Sequence, residues 1–128
     1  MAAMTTSLSS ACVWRRFRCL AERHIEEGNL VAGERLWEIV PSPDESAALT
    51  IRSTRWTSDS VECAYDASTG ALTCAPGTAI VAPTLTFHVC TDDPGMFRRG
   101  GVDCTVDEAV ALVLDELVWF ESSEGNES

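Results

Sequence analysis

Val-Glu-Cys-Ala-Tyr-Asp-Ala-Ser-Thr-Gly-Ala-Leu-Thr-Cys-Ala, residues 61–75, is the stretch whose reading decides the fold. Val61, Cys63 and Tyr65 alternate with Glu62, Ala64 and Asp66, the period of two that gives a strand one buried face. Asp66-Ala-Ser-Thr-Gly70 is made of turn formers, and Gly70 can take positive φ at the exit. Leu72 and Cys74 then alternate about Thr73. Together these signs specify a β-hairpin with 67–70 as a four-residue loop. In that register Asp66 faces Ala71, Tyr65 faces Leu72, and Cys63 faces Cys74 on the buried side. A slip of one residue would change every facing pair and turn side chains to the other face.

The flanking segments extend this hairpin. Ala48 to Trp56 reads as a strand with Leu49 and Ile51 on one face and Arg52 and Thr54 on the other, and Thr57 to Ser60 turn into the hairpin. Beyond it Pro76-Gly77 breaks the chain, and Thr84 to Cys90 reads as a strand with Leu85, Phe87 and Val89 inward. Residues 34–40 fit two patterns. With the preceding Glu-Glu-Gly-Asn-Leu-Val-Ala-Gly they resemble the second arm of a helical hairpin, as in tetratricopeptide-type units. No repeat follows, however, and Pro41 and Pro43 stop the pattern. A strand from Arg35 to Val40 is the preferred reading, Leu36, Glu38 and Val40 alternating with Trp37 and Ile39. Pro41 to Ser46 is read as a loop.

Helices bracket the strands. Ser9 or Ser10 can cap a helix that runs to about Glu27, with Gly28-Asn29 as its stop. Val13, Phe17, Leu20, Ala21 and His24 share one stripe, widened by Trp14 and Ile25, while Arg18 and Glu22 make an i, i+4 pair. Arginines near the start and glutamates near the end oppose the helix dipole, so packing has to hold this helix. Thr105-Val-Asp-Glu108 is a capping box for a second helix, reaching about Phe120. Val106, Val110, Val113, Leu114, Leu117 and Phe120 form its main apolar face. Leu112 and Trp119 sit on the other side among Glu108, Asp115 and Glu116, more apolar surface than packing on one sheet requires. The stretch 91–102, with Asp92-Asp93-Pro-Gly and then Met96-Phe-Arg98-Arg99-Gly-Gly, is read as an irregular sheet-to-helix crossing with its own charge pairing. A binding loop is the competing reading.

The expected fold is therefore α+β: an N-terminal helix, an antiparallel β-meander of four or five strands, and a C-terminal helix, with both helices on one face of the sheet in a two-layer sandwich. The organisation that goes with it is a flexible leader over 1–8, one domain over 9–120 and a disordered acidic tail over 121–128.

Composition narrows the function classes. The chain has 128 residues and a net charge of −11, which disfavours nucleic acid or anionic membrane as partner and favours a basic protein surface. The charge is uneven: residues 1–35 hold five Arg and four Glu, whereas 36–128 hold four Arg and sixteen acids. Lys and Gln are absent, a bias that fits a GC-rich coding sequence. No apolar run approaches the ~20 residues of a membrane span. Residues 1–21 are free of acids and rich in Ser, Thr and Arg, also the composition of an organellar transit segment. A first helix fits the same residues, and cytoplasm is the expected compartment. The six cysteines, at 12, 19, 63, 74, 90 and 104, show no C-x-x-C and no zinc spacing, so they are expected to be buried free thiols.

Phosphate-binding, dinucleotide-binding, zincin and nucleophile-elbow motifs do not occur, and neither a metal nor a cofactor is expected. The one constellation that carries chemistry is His88-Val-Cys90-Thr-Asp92. If the strand persists that far, all three polar side chains project from one face and can hold a metal or an activated thiol. His24, a lone histidine beside an apolar stripe, reads as a boundary residue. In size, acidity and helix–sheet–helix order the chain is similar to small bacterial adaptor, secretion-chaperone or immunity-type proteins. The leading expectation is a non-enzymatic protein-binding module, with a basic protein or a second copy as partner, using Leu112, Trp119, Glu108, Asp115 and Glu116. A small-ligand binder or enzyme centred on His88 and Cys90, and a structural subunit of a larger assembly, are the alternatives.

Overall fold

The computed structural model describes residues 10–41, 47–54, 60–76 and 84–115. The first helix, α1, spans Ser10–Ala32. Seven strands follow: β1 Trp37–Val40, β2 Ala48–Ser53, β3 Ser60–Asp66, β4 Ala71–Pro76, β5 Leu85–Val89, β6 Met96–Arg99 and β7 Val102–Thr105. They form one antiparallel sheet in chain order, β1 to β7. A second helix, α2, occupies 106–115 of the described residues. The expected readings of the 1–8 leader, Trp56 and the following turn, Glu116, Leu117, Trp119, Phe120 and the tail fall outside the described residues.

The central hairpin has the register its sequence demands. Cys63 pairs with Cys74, Tyr65 with Leu72 and Asp66 with Ala71. The turn is closed by local chemistry: the Asp66 carboxylate accepts from the Ser68 N–H at 3.0 Å and from its hydroxyl at 2.6 Å. Gly70, at φ 73°, donates its N–H to the Asp66 carbonyl at 2.7 Å. A β-carbon at Gly70 would meet Val89 Cβ at 3.4 Å, an ordinary contact, so it is the positive φ that calls for glycine there.

Both helices lie on the face that the strands turn inward. Val13, Trp14, Phe17, Ala21 and Ile25 of α1 and Val106, Ala109, Val110 and Val113 of α2 share one buried cluster with Leu49, Ile51, Val61, Tyr65, Leu72, Phe87 and Phe97 of the sheet. Trp14 is stacked between Phe17 and Tyr65, with ring centroids 5.7 and 5.8 Å away. An exposed ion pair, Arg16 to Asp107 at 3.7 Å, joins the two helices, and such a pair adds little stability. The opposite sheet face carries Glu62, Ala64, Thr86, His88, Arg98 and Asp103, all exposed. Among the described residues no helix is long and apolar enough to cross a membrane.

Besides Cys19, which is exposed, and Cys12, which is half-buried, where buried thiols are expected, three features differ from the sequence reading. The helix passes through Gly28-Asn29 and ends instead at Gly33, where φ is 80° and the N–H returns to the Asn29 carbonyl at 3.0 Å. A mid-helix glycine costs about 1 kcal/mol relative to alanine, and the Asn29 side chain offsets this by bonding to the start of β1. Secondly, the sheet has seven strands among the described residues, because residues 96–105 are a hairpin rather than a crossing. Gly100 and Gly101 both have positive φ, 60° and 87°, the geometry of a two-residue type I′ turn. The expected charge pairing is there: Arg98 faces Asp103 and bonds its carboxylate at 2.9 Å. Thirdly, β1 and β2 are shorter at their ends than the alternation suggests, Trp37–Val40 and Ala48–Ser53.

Candidate functional site

His88, Cys90 and Asp92 are not brought together as a reactive trio. The strand stops at Val89. His88 is exposed and stands between Ala71 and Arg98 in adjoining strands. Cys90 is buried, its N–H donating to the Met96 carbonyl at 2.8 Å, and Asp92 lies in the exposed bend beyond. The groups that act on the Cys90 thiol come from the β6–β7 hairpin. Burial pushes the thiol up first, Asp103 pushes it further, and Arg98 pulls in the opposite direction. A thiol shifted upward is held as the thiol, the reverse of what a nucleophile or metal ligand needs. Arg98 is itself held charged by Asp103. Among the described residues no group of three or more His, Cys, Asp or Glu side chains is disposed to hold a metal ion.

The second helix begins as its capping box specifies. The Thr105 hydroxyl accepts from the Glu108 N–H at 3.1 Å, and the Glu108 carboxylate accepts from the Thr105 N–H at 2.9 Å. Glu108 and Asp115 are exposed. Leu112 is half-buried and packs against the core, so it does not stand free among the acids. Glu116 and Trp119, the other members of the expected patch, are outside the described residues.

The feature that sequence reasoning missed lies at the other end of the sheet. The Thr54 N–H donates to the Leu36 carbonyl at 3.0 Å. In an antiparallel pair such bonds recur at every second residue, so the Leu36 carbonyl and the backbone groups of Glu38 and Val40 turn toward β2. Trp37 and Ile39 turn theirs to the open edge. At Trp37 the Asn29 side chain satisfies both: Nδ2 donates to the Trp37 carbonyl at 3.0 Å, and Oδ1 accepts from the Trp37 N–H at 3.2 Å and the Leu36 N–H at 2.8 Å. An asparagine after Gly28 reads as a helix stop, and nothing in its spacing announces a bond to a strand eight residues on. Ile39 has no such guard among the described residues.

A groove runs between this edge and α1. It comprises two cavities of about 270 and 310 Å³, both bordered by Glu22 and Ile39. Arg18, Pro41 and Leu49 border the first, and Ile25, Glu26 and Trp37 the second. Arg18, Glu22, Glu26 and Leu30 follow each other at four-residue spacing and so form a ridge along α1. Arg18 pairs with Glu22 at 3.3 Å, and Arg35 reaches Glu38 at 4.0 Å while Arg52 bonds Glu38 from the other side. Glu26 has no ion-pair partner among the described residues, and Leu30 is 76% exposed.

No protein-family model, no curated protein and no solved structure matches the chain.

Proposed function

We propose that the chain is a small acidic protein-binding module and not an enzyme, with a basic protein as its partner or, in a homodimeric version, a second copy. The observation that carries this reading is the incompletely closed β1 edge beside an acidic helix ridge: Ile39 offers backbone groups, and Glu22 and Glu26 border the same groove. The net charge of −11 favours a basic partner through long-range attraction. On the second helix Leu112 packs against the core and Glu108 and Asp115 are exposed acids, while Trp119 and Glu116 of the same expected patch lie outside the described residues. The upward-shifted Cys90 thiol weighs against the alternative of a reaction centred on His88 and Cys90.

Affinity capture from the native host at physiological ionic strength, with mass spectrometry and light scattering of the purified chain, tests the reading. A protein retained in stoichiometric amount, or a defined dimer, is the expected result. A monomer that retains no protein but carries a small molecule through native mass spectrometry would overturn it.

A further inference from the structure

We propose that the α1–β1 groove takes an extended, basic peptide segment of the partner, docked as an added strand on Ile39. The proposal rests on the protein-binding reading and names the place and chemistry of the contact. Three observations converge on it. The backbone parity of β1 leaves Ile39 N–H and C=O facing outward, unguarded among the described residues, and strand addition is the way an extended chain uses such an edge. Neighbouring positions limit the contact to a short register: Asn29 occupies Trp37 on one side, and Pro41 on the other has no N–H to give. A segment of a few residues fits, and a long intermolecular sheet does not.

The groove beside that register fixes the chemistry. Side chains alternate along an added strand, so those turned toward α1 enter the groove between the ridge and the floor made by Ile25, Trp37 and Leu49. On the ridge they meet Glu22, already paired with Arg18, and Glu26, which has no ion-pair partner among the described residues, while Arg35 of the same cavity is drawn to Glu38. At the end of the ridge stands the exposed Leu30. Arginine or lysine with an apolar neighbour complements this set. A second copy of the chain complements it poorly, since two-fold pairing at β1 sets one acidic ridge against the other within proteins that each carry −11.

The test is a titration of ¹⁵N-labelled protein with a synthetic peptide alternating Val and Arg, at physiological ionic strength, with a Val–Glu peptide as control. Saturable shifts centred on Ile39, Trp37, Glu22 and Glu26, absent with the Val–Glu peptide, are expected. Ile39→Pro, which removes one outward donor from an edge strand, should weaken binding about tenfold, and Asp103→Pro on the opposite edge should leave it unchanged. Should Ile39→Pro fail to fold, Glu26→Arg at an exposed helical position decides the matter by weakening binding severalfold. Shifts spread evenly over acidic surface, shifts centred on Asp103, equal binding of the Val–Glu peptide, or no shifts would overturn the proposal. If a captured partner stays bound to Ile39→Pro and Glu26→Arg, the groove assignment fails while the protein-binding reading stands. Absence of any partner fails the reading itself.

Discussion

Among the described residues β1 and β7 are both four-residue strands paired on one side only, and each turns the backbone groups of two residues outward. In β7 the Cys90 N–H to Met96 bond and the Val106 N–H to Gly95 bond put the outward positions at Asp103 and Thr105. At each edge one of the two is guarded by a side chain from a neighbouring helix. Asn29 of α1 covers Trp37, and Glu108 of α2 covers the Thr105 N–H. The residue left over differs. At β7 it is Asp103, an exposed carboxylate already paired with Arg98, and a charge on an edge strand repels strand addition. At β1 it is Ile39, half-buried and beside a groove. Two edges with the same backbone arithmetic thus have opposite dispositions, and side-chain chemistry makes the difference.

The largest effect expected from this comparison is in how each edge is anchored. Trp37 is the inward anchor of β1, and Trp37→Ala should cost about 3–5 kcal/mol in a urea melt. Cys104 holds β7 with a much smaller side chain, so Cys104→Ala should cost well under half of that. Equal losses would break the asymmetry. Next come the guards. Asn29→Ala removes three hydrogen bonds and should cost about 2 kcal/mol. Glu108→Ala, which loses the bond to the Thr105 N–H, should cost about 1 kcal/mol. A larger loss from the second variant than from the first would invert the order of the two guards. Gly28→Ala sharpens the role of α1: added carbon meets nothing within 4 Å, so it should stabilise by about 0.5–1 kcal/mol.

At neutral pH the smallest effect belongs to the sheet centre, where both edges are influenced alike. Cys63 and Cys74 are buried and directly opposed. The hydrogen bond with Cys63 and burial hold the Cys74 thiol well above its ordinary 9.0. The unfolded chain therefore loses this proton first. The stabilisation is fully present below pH 9.0 and is lost as pH rises through the folded value. Urea midpoints should fall across that window in the wild type and fall less in a Cys63→Ala/Cys74→Ala variant. Parallel slopes would remove the thiols from the explanation.

The hairpin at 61–75 was legible because alternation, turn residues and register all depend on neighbours in sequence. So was the capping box at Thr105 and Glu108, whose partners are three residues apart. The β6–β7 hairpin was hidden by its length: four residues on each side of Gly100-Gly101 are too few for alternation to declare itself, and Arg98 and Asp103 read equally well as loop charges. The His88, Cys90 and Asp92 constellation depends on strand parity, and the strand ends at Val89. Cys90 answers instead to Arg98 and Asp103, residues that only the missed hairpin brings near. The groove at Ile39 depends on Asn29 meeting Trp37 and on the parity of a strand pair, neither of which local pattern encodes.

Amide hydrogen exchange resolved by residue reads both edges of the sheet in one experiment, through four amides. The expected result is that Trp37 and Thr105, whose outward N–H groups are held by Asn29 and Glu108, exchange slowly relative to Ile39 and Asp103 in the free protein, and that the basic Val–Arg peptide slows Ile39 alone. Exchange at Trp37 as fast as at Ile39, or protection by the peptide at Asp103, would contradict it.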